Sequence, residues 1–142
     1  MDIPAALLSQ VVEDGEIYYF QKGCPVGIEE HMHVCVRHNG EVLIFGTCSS
    51  QLKTALKLAK IHHDSKSIYP TLKPTPTNKF TKETYINCNN VFVVSEEKFG
   101  QWRKEKLIRL NEGKLSEEEL KLIIKGVLLS DQVAEEIKDI FR

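Results

Sequence analysis

The stretch that decides the fold reads His31-Met-His-Val-Cys-Val-Arg-His-Asn-Gly-Glu-Val-Leu-Ile-Phe-Gly-Thr-Cys-Ser49, two apolar runs on either side of a turn. Asn39-Gly40 is a strong turn signal because both residues tolerate a positive φ. The two runs therefore predict a β-hairpin whose strands span 31–36 and 41–47 and join at 37–40. In such a hairpin the far ends, near His31 and Ser49, lie close together, as a functional site would require.

The side chains of this hairpin carry chemistry. Alternation along a strand puts His31, His33 and Cys35 on one face. The second strand runs out into Thr47, Ser49 and the polar residues that follow. Proton transfer, hydrogen bonding to a phosphate and metal ligation are all open to such a set.

Working outward, the chain predicts further strands and then helices. Glu16–Phe20 is rich in β-branched and aromatic residues and predicts the first strand. Helical spacing predicts a short helix over 49–60. Three prolines make 65–81 a long loop with an edge strand near Ile68-Tyr69. Tyr85–Asn87 and the apolar run Val91–Val94 predict two more strands, the second buried on both sides.

The last third predicts helices. Ser95 and Ser116 are cap residues, and Glu119 completes a capping box with Ser116. Ser130-Asp131 begins a final helix. Strands followed by helices predict an α+β fold, mainly β: a small curled barrel with its helices mostly C-terminal. We expect one domain over 1–142, with the barrel at about 14–95 and the helical part at about 96–142.

Charge narrows the choice of partners. The 142 residues carry a net charge of −1, which argues against attraction of nucleic acid to the whole surface. The distribution is uneven, because seven lysines between 53 and 82 are opposed by Asp64 alone. This basic band fits a groove for a polyanion or a solvated lysine-rich surface.

Cysteine usage and the N-terminus indicate the compartment. Cys24, Cys35, Cys48 and Cys88 form no CxxC pair, so we expect buried free thiols. The first ten residues lack the pattern of a secretory signal, and no apolar run approaches the roughly 18 residues of a membrane span. We therefore expect a cytoplasmic protein without membrane contact.

Several short motifs, in their order and spacing, resemble the MazF/PemK growth-inhibitor toxins. They are Gly15–Phe20, Pro25-Val-Gly27 with Glu29, the hydrophobic strand, Thr47–Gln51 and Phe80–Thr84. The resemblance covers the chain from Gly15 to about Leu129. It implies an SH3-like barrel that forms a homodimer, cleaves single-stranded RNA without a metal or other cofactor, and is neutralised by an antitoxin protein.

The resemblance also implies roles for individual residues. The hydroxyl role falls on Ser49, with Thr47 and Ser50 as close competitors. His31-Met32 stands where the family shows Arg-Pro, so His31 takes the arginine's place and supplies proton transfer. Glu29 would tune the pKa of His31 and would also contact the substrate. The other expected substrate-binding residues are His33, Thr47, Ser50, Gln51, Lys53 and Lys57, and either Lys53 or Lys57 would supply positive charge.

Two other functions compete with the endoribonuclease. One is a non-catalytic barrel of the same ancestry that binds RNA or a protein. The other is a metal-binding β-barrel that uses His31 and His33, since His-x-His on one strand face is a plausible set of ligands. Tyr18, Tyr19 and Trp102 fit either base stacking or the core.

Overall fold

A computed structural model describes residues 12–20, 31–51, 57, 60 and 66–142. Within this part of the chain six strands precede or alternate with three α-helices. The strands are β1 (Glu16–Phe20), β2 (His31–Asn39), β3 (Val42–Ser49), β4 (Thr71–Leu72), β5 (Thr84–Ser95) and β6 (Arg109–Lys114). The helices are α1 (Glu96–Lys104), α2 (Glu117–Leu129) and α3 (Glu135–Ile140), and a short 3-10 helix spans Lys66–Ile68.

The strands form one antiparallel sheet in the order β4-β5-β3-β2-β1-β6. The sheet curls into a half-barrel, so the fold is α+β and mainly β, as predicted. At its centre is the predicted hairpin, in which His33 pairs with Thr47 and Asn39 pairs with Val42. Gly40 adopts a φ of +61°, the left-handed conformation that the turn signal predicted.

Both faces of the sheet are buried, because helices cover each of them. Ile17, Val34 and Val36 point to one face, where they pack with Ile123 and Val127 of α2. The alternate residues point to the other face, where they meet Phe99 and Trp102 of α1. Burial on both faces explains why the central strands read as nearly continuous apolar runs.

The helix caps follow the sequence signals. The Ser95 hydroxyl accepts a hydrogen bond from the Lys98 amide at the start of α1. At the start of α2 the Ser116 hydroxyl accepts from the Glu119 amide, and the Glu119 carboxylate accepts from the Ser116 amide. This reciprocal pair is the capping box that the sequence predicted. Among the described helices none is long and apolar enough to cross a membrane.

Three expectations need correction. The last third is not wholly helical, because β6 lies within it and pairs with β1. Tyr85–Asn87 and Val91–Val94 belong to one strand, β5, whose pairing with β3 shifts register between Gly46 and Thr47. Val91–Val94 is not buried throughout, since Val93 is 44% exposed.

The edge strand expected near Ile68-Tyr69 occurs slightly later, as the two residues of β4. The helix predicted over 49–60 falls mostly outside the described residues.

Candidate functional site

An open cleft of about 530 Å³ lies where β1, β2 and β3 meet the segment between β4 and β5. Its walls come from segments that are far apart in the sequence, and it is lined by Tyr19, His31, Met32, Cys48, Ser49, Ser50, Gln51, Lys79, Phe80, Thr81, Lys82, Thr84 and Asn111. Among the described residues that line it, none is acidic, and three are lysine or histidine. The cleft therefore favours an anionic ligand.

The cleft contains both residues that the hairpin was predicted to bring together. His31 begins β2 and is exposed, and Ser49 ends β3 and is half-buried. Because His33 pairs with Thr47, His31 at the start of β2 and Ser49 at the end of β3 lie at the same end of the hairpin, opposite the turn. An imidazole and a hydroxyl thus share one surface.

A tight turn orients the Ser49 hydroxyl. Its Oγ accepts a hydrogen bond from the Gln51 amide at 3.1 Å. The hydroxyl proton can still be donated to an oxygen of a ligand. Ser50 and Gln51 also line the cleft and are exposed.

Two lysines of the loop before β5 supply positive charge. Lys79 and Lys82 line the cleft, and both are exposed. The Lys79 ammonium lies 3.6 Å from a carboxylate oxygen of Glu112, but both side chains are more than half exposed. Solvent screens such a pair strongly, so the Lys79 charge remains effective toward a ligand.

An aromatic ring forms another part of the wall. The Tyr19 hydroxyl accepts a hydrogen bond from Asn111 Nδ2 at 3.0 Å, and Asn111 Oδ1 accepts from the Gly113 amide at 2.8 Å. The Arg109 guanidinium lies over the Tyr19 ring, 4.4 Å from its centroid. Held from two sides, this ring is a fixed surface on which a flat group can stack.

Some predicted site residues lie elsewhere. His33 is 1% exposed, and its ring packs between Phe20 and Phe92, with centroid distances of 4.4 and 5.2 Å. Its Nε2 lies 3.2 Å from the Phe20 carbonyl oxygen. The structure does not bring His33 to the cleft.

The other predicted substrate-binding residues divide between two places. The Thr47 hydroxyl oxygen is buried and has no hydrogen-bond partner among the described residues, and Thr47 does not line the cleft. Lys57 is exposed and is not part of the cleft wall. Glu29 and Lys53 lie outside the described residues.

The described cysteines are buried free thiols, as predicted. They are Cys35, Cys48 and Cys88. Burial raises the pKa of each thiol, to about 12 for Cys88 and higher for the other two. A neutral thiol is a poor nucleophile and a poor metal ligand. Within the described ranges, no three His, Cys, Asp or Glu residues are grouped so that they could hold a metal ion.

Sequence reasoning left Lys79, Lys82 and Asn111 out of the site. Lys79 and Lys82 belong to the basic band, but their spacing does not show which lysines of the band point inward. Tyr19 is compatible with base stacking in the sequence, although an aromatic residue in a strand run favours the core. Asn111 gave no signal because it lies on β6, a strand that the sequence did not predict.

No model of a known protein family matches the chain, and no curated protein matches it with significant similarity. The resemblance to the MazF/PemK toxins therefore rests on the short motifs quoted above. What this resemblance implies for function is therefore a proposal, which depends on the chemistry of the residues that line the cleft.

Proposed function

We propose that this protein is an endoribonuclease that cleaves single-stranded RNA in the cleft between His31 and Lys82. The observation that carries the proposal is the composition of the wall: a histidine and a serine share it with two lysines, and no described lining residue is acidic. A cleft of about 530 Å³ is within the roughly 300–1,000 Å³ typical of ligand pockets. A cleft of this volume can hold a short segment of single-stranded RNA.

The proposed reaction is attack by a ribose 2′-hydroxyl on the adjacent phosphate. The bond from the 2′-oxygen to phosphorus forms, and the bond from phosphorus to the 5′-oxygen breaks. His31 accepts the 2′-hydroxyl proton, and an ammonium of Lys79 or Lys82 gives a proton to the leaving 5′-oxygen. The products are a 2′,3′-cyclic phosphate and a 5′-hydroxyl.

Two kinds of interaction stabilise the transition state in this scheme. Ser49 donates its hydroxyl proton to a non-bridging phosphate oxygen, and the lysine charges offset the negative charge that develops there. General acid–base help contributes about 10²–10⁴-fold, and one well-placed donor to the oxyanion about 10²–10³-fold. The roles first given to Lys53 or Lys57 pass to Lys79 and Lys82, because these two line the cleft.

Base stacking completes the substrate contacts. The Tyr19 ring lines the cleft with Arg109 over one face, and both a tyrosine ring and a guanidinium plane stack on nucleobases. Stacking on unpaired bases favours single strands over duplexes. It tolerates different sequences because every base has a π-face.

The test is digestion of a long unstructured RNA in the presence of a chelator. Wild-type protein should release fragments that end in 2′,3′-cyclic phosphate, and His31→Ala and Ser49→Ala should each slow cleavage at least 100-fold. Lys57→Ala is the matched control, since Lys57 is exposed and outside the wall, and it should cleave at the wild-type rate. Cleavage that survives His31→Ala would contradict the mechanism.

A second function, RNA binding without cleavage, is favoured by one feature of the same wall. Among its described residues there is no arginine, and His31-Met32 stands where the toxins have Arg-Pro. Salt-dependent binding of the same RNA with no fragments released would support this non-catalytic module. A protein ligand is a further alternative. Zinc held by His31 and His33 is disfavoured because His33 is 1% exposed and its Nε2 lies 3.2 Å from the Phe20 carbonyl oxygen, and metal analysis of untagged protein tests it.

The resemblance further suggests a cytoplasmic homodimer that an antitoxin neutralises. Growth arrest on expression, relieved by a small protein encoded beside it, would support the antitoxin. Sedimentation of the purified chain would test the dimer.

A further inference from the structure

The loop that brings the two lysines to the cleft is held by one buried amide. Asn78 is 0% exposed. Its Oδ1 accepts hydrogen bonds from the amides of Thr75 and Phe80, each at 3.0 Å. Its Nδ2 donates to the Lys73 carbonyl oxygen at 3.0 Å and to Glu119 Oε2 at 2.9 Å. All four hydrogen-bonding positions of this side chain are therefore filled within the protein.

The Glu119 carboxylate joins this loop to helix α2. Its Oε1 accepts from the Ser116 amide at 3.0 Å and closes the capping box, while its Oε2 accepts from Asn78. One carboxylate thus serves a helix end and a loop at once. The Oε2 atom is not needed for capping, and its hydrogen bond to Asn78 ties the loop to α2.

The neighbouring backbone shows why the loop needs an anchor. Lys79, directly after Asn78, has a φ of +56°, in the left-handed region that residues with a Cβ avoid. Such a conformation persists where the surroundings hold it. The hydrogen bonds of the Asn78 side chain hold the residue before Lys79, and the bond from the Phe80 amide to Asn78 Oδ1 holds the residue after it.

We propose that Asn78 and Glu119 are positioning residues that hold Lys79 and Lys82 toward a phosphate backbone in the cleft. This inference rests on the proposed binding of RNA. The two residues touch no substrate, and they act by fixing where the lysine charges lie. The loop then presents two cations in a set geometry without reordering when the ligand arrives.

The test compares variants in their binding of a 2′-O-methyl RNA oligonucleotide, which cannot be cleaved, over a range of salt concentrations. For single strands the slope of log K against log salt is about −0.7 for each phosphate neutralised. The double variant Lys79→Ala/Lys82→Ala should make the slope shallower by about 1.4, the value for two lysines. Glu119→Ala should reproduce at least half of that change.

Ser116→Ala is the matched control. It removes the other half of the same capping box, the bond from the Glu119 amide to the Ser116 hydroxyl, but leaves Asn78 its partner. It should weaken α2 while keeping the wild-type slope. Glu119→Gln keeps an oxygen that can accept from Asn78 and should restore most of the slope.

The outcomes separate the two proposals. If the double lysine variant keeps the wild-type slope, RNA does not bind at this cleft and the proposed function fails. If that variant changes the slope but Glu119→Ala behaves like Ser116→Ala, RNA binding stands and the positioning role is overturned.

Hydrogen exchange without RNA gives an independent reading. Glu119→Ala should speed exchange at the Thr75 and Phe80 amides, whereas Ser116→Ala should affect only the start of α2. Unchanged exchange at both loop amides in Glu119→Ala would also overturn the positioning role.

Discussion

Gly113 is the point at which β6 meets the loop of Asn78, and its replacement by alanine gives the sharpest test of how the half-barrel is held together. A Cβ on Gly113 would lie 2.0 Å from the Asn78 carbonyl oxygen and 2.6 Å from its carbon. Contacts this short do not occur, and both atoms belong to backbone. The loop must therefore move away from β6 by about 1.5 Å to reach an ordinary contact distance.

The cost follows from the bonds that such a movement breaks. The Lys114 amide donates to the Thr77 carbonyl oxygen at 3.0 Å, and this bond joins β6 to the loop. Asn78 Nδ2 donates to Glu119 Oε2 at 2.9 Å, and this bond joins the same loop to α2. Loss of the first bond at about 1 kcal/mol and of the second, to a charged carboxylate, at about 1.5–2 kcal/mol gives a loss of about 2–3 kcal/mol in the free energy of unfolding.

Urea unfolding followed by the fluorescence of Trp102 measures this loss. Trp102 is the chain's single tryptophan, and it is 6% exposed in the core on the other face of the sheet. Its emission therefore reports global unfolding. We expect the midpoint to fall without a change in the slope against urea.

Gly40→Ala is the control, since Gly40 has a φ of +61° but nothing within 4 Å of its added Cβ. It should lose about 1–2 kcal/mol from the strained backbone alone and keep wild-type binding of RNA. Gly113 does not have a positive φ, so its loss would come from the clash. A Gly113→Ala protein within about 0.5 kcal/mol of wild type would refute the reasoning.

Three further predictions concern buried groups. In a Cys24→Ser background, Cys35, Cys48 and Cys88 should not react with a thiol reagent at pH 8 until the protein unfolds. The reason is that burial raises the pKa of Cys88 to about 12 and raises the pKa values of Cys35 and Cys48 still more. Rapid reaction of the native protein would contradict this prediction. Burial raises the pKa of Tyr18 well above its usual 10.0. The unfolded chain therefore loses the Tyr18 hydroxyl proton at a lower pH than the folded protein, and the free energy of unfolding should fall as pH rises above about 10. Tyr18→Phe should flatten that part of the pH profile measured by urea unfolding, and an unchanged profile would contradict this prediction. His33→Ala should lower the free energy of unfolding by about 2–4 kcal/mol because it leaves a cavity between Phe20 and Phe92, while the folded protein keeps its affinity for RNA. A loss of RNA affinity at unchanged stability would show instead that His33 contacts the RNA.

The parts of the fold that the sequence predicted well are those with strong local signals. The hairpin followed from two apolar runs around Asn39-Gly40, and the start of α2 followed from Ser116 and Glu119. In each case the residues that carry the signal lie close together in the chain. Local propensity and the final structure agree at these positions.

β6 could not be read from the sequence because its stabilising contacts are distant. Its residues, Arg109–Lys114, are mostly polar, its one large apolar residue, Leu110, is 49% exposed, and Gly113 is the one buried residue among them. What makes this segment a strand is pairing with β1, which lies some 90 residues earlier in the chain. An edge strand with this composition shows no alternating apolar pattern.

The site divides in the same way. His31 and Ser49 follow from hairpin pairing, because the turn alone brings their strand ends together. Lys79 and Lys82 depend on how a long loop folds across the sheet, and that path is set by Asn78, Glu119 and Gly113. Contacts between segments so far apart leave no periodicity for sequence reasoning to find.

The two rims of the half-barrel are joined by a loop instead of by strand pairing, and this makes the width of the cleft separable from the integrity of the sheet. Replacing the exposed residues Lys79, Thr81 and Lys82 leaves every β-ladder intact and keeps the buried Phe80 side chain in the core. The protein thus offers a scaffold in which ligand selectivity can be redesigned, or can diverge among descendants, while the folding core is inherited unchanged.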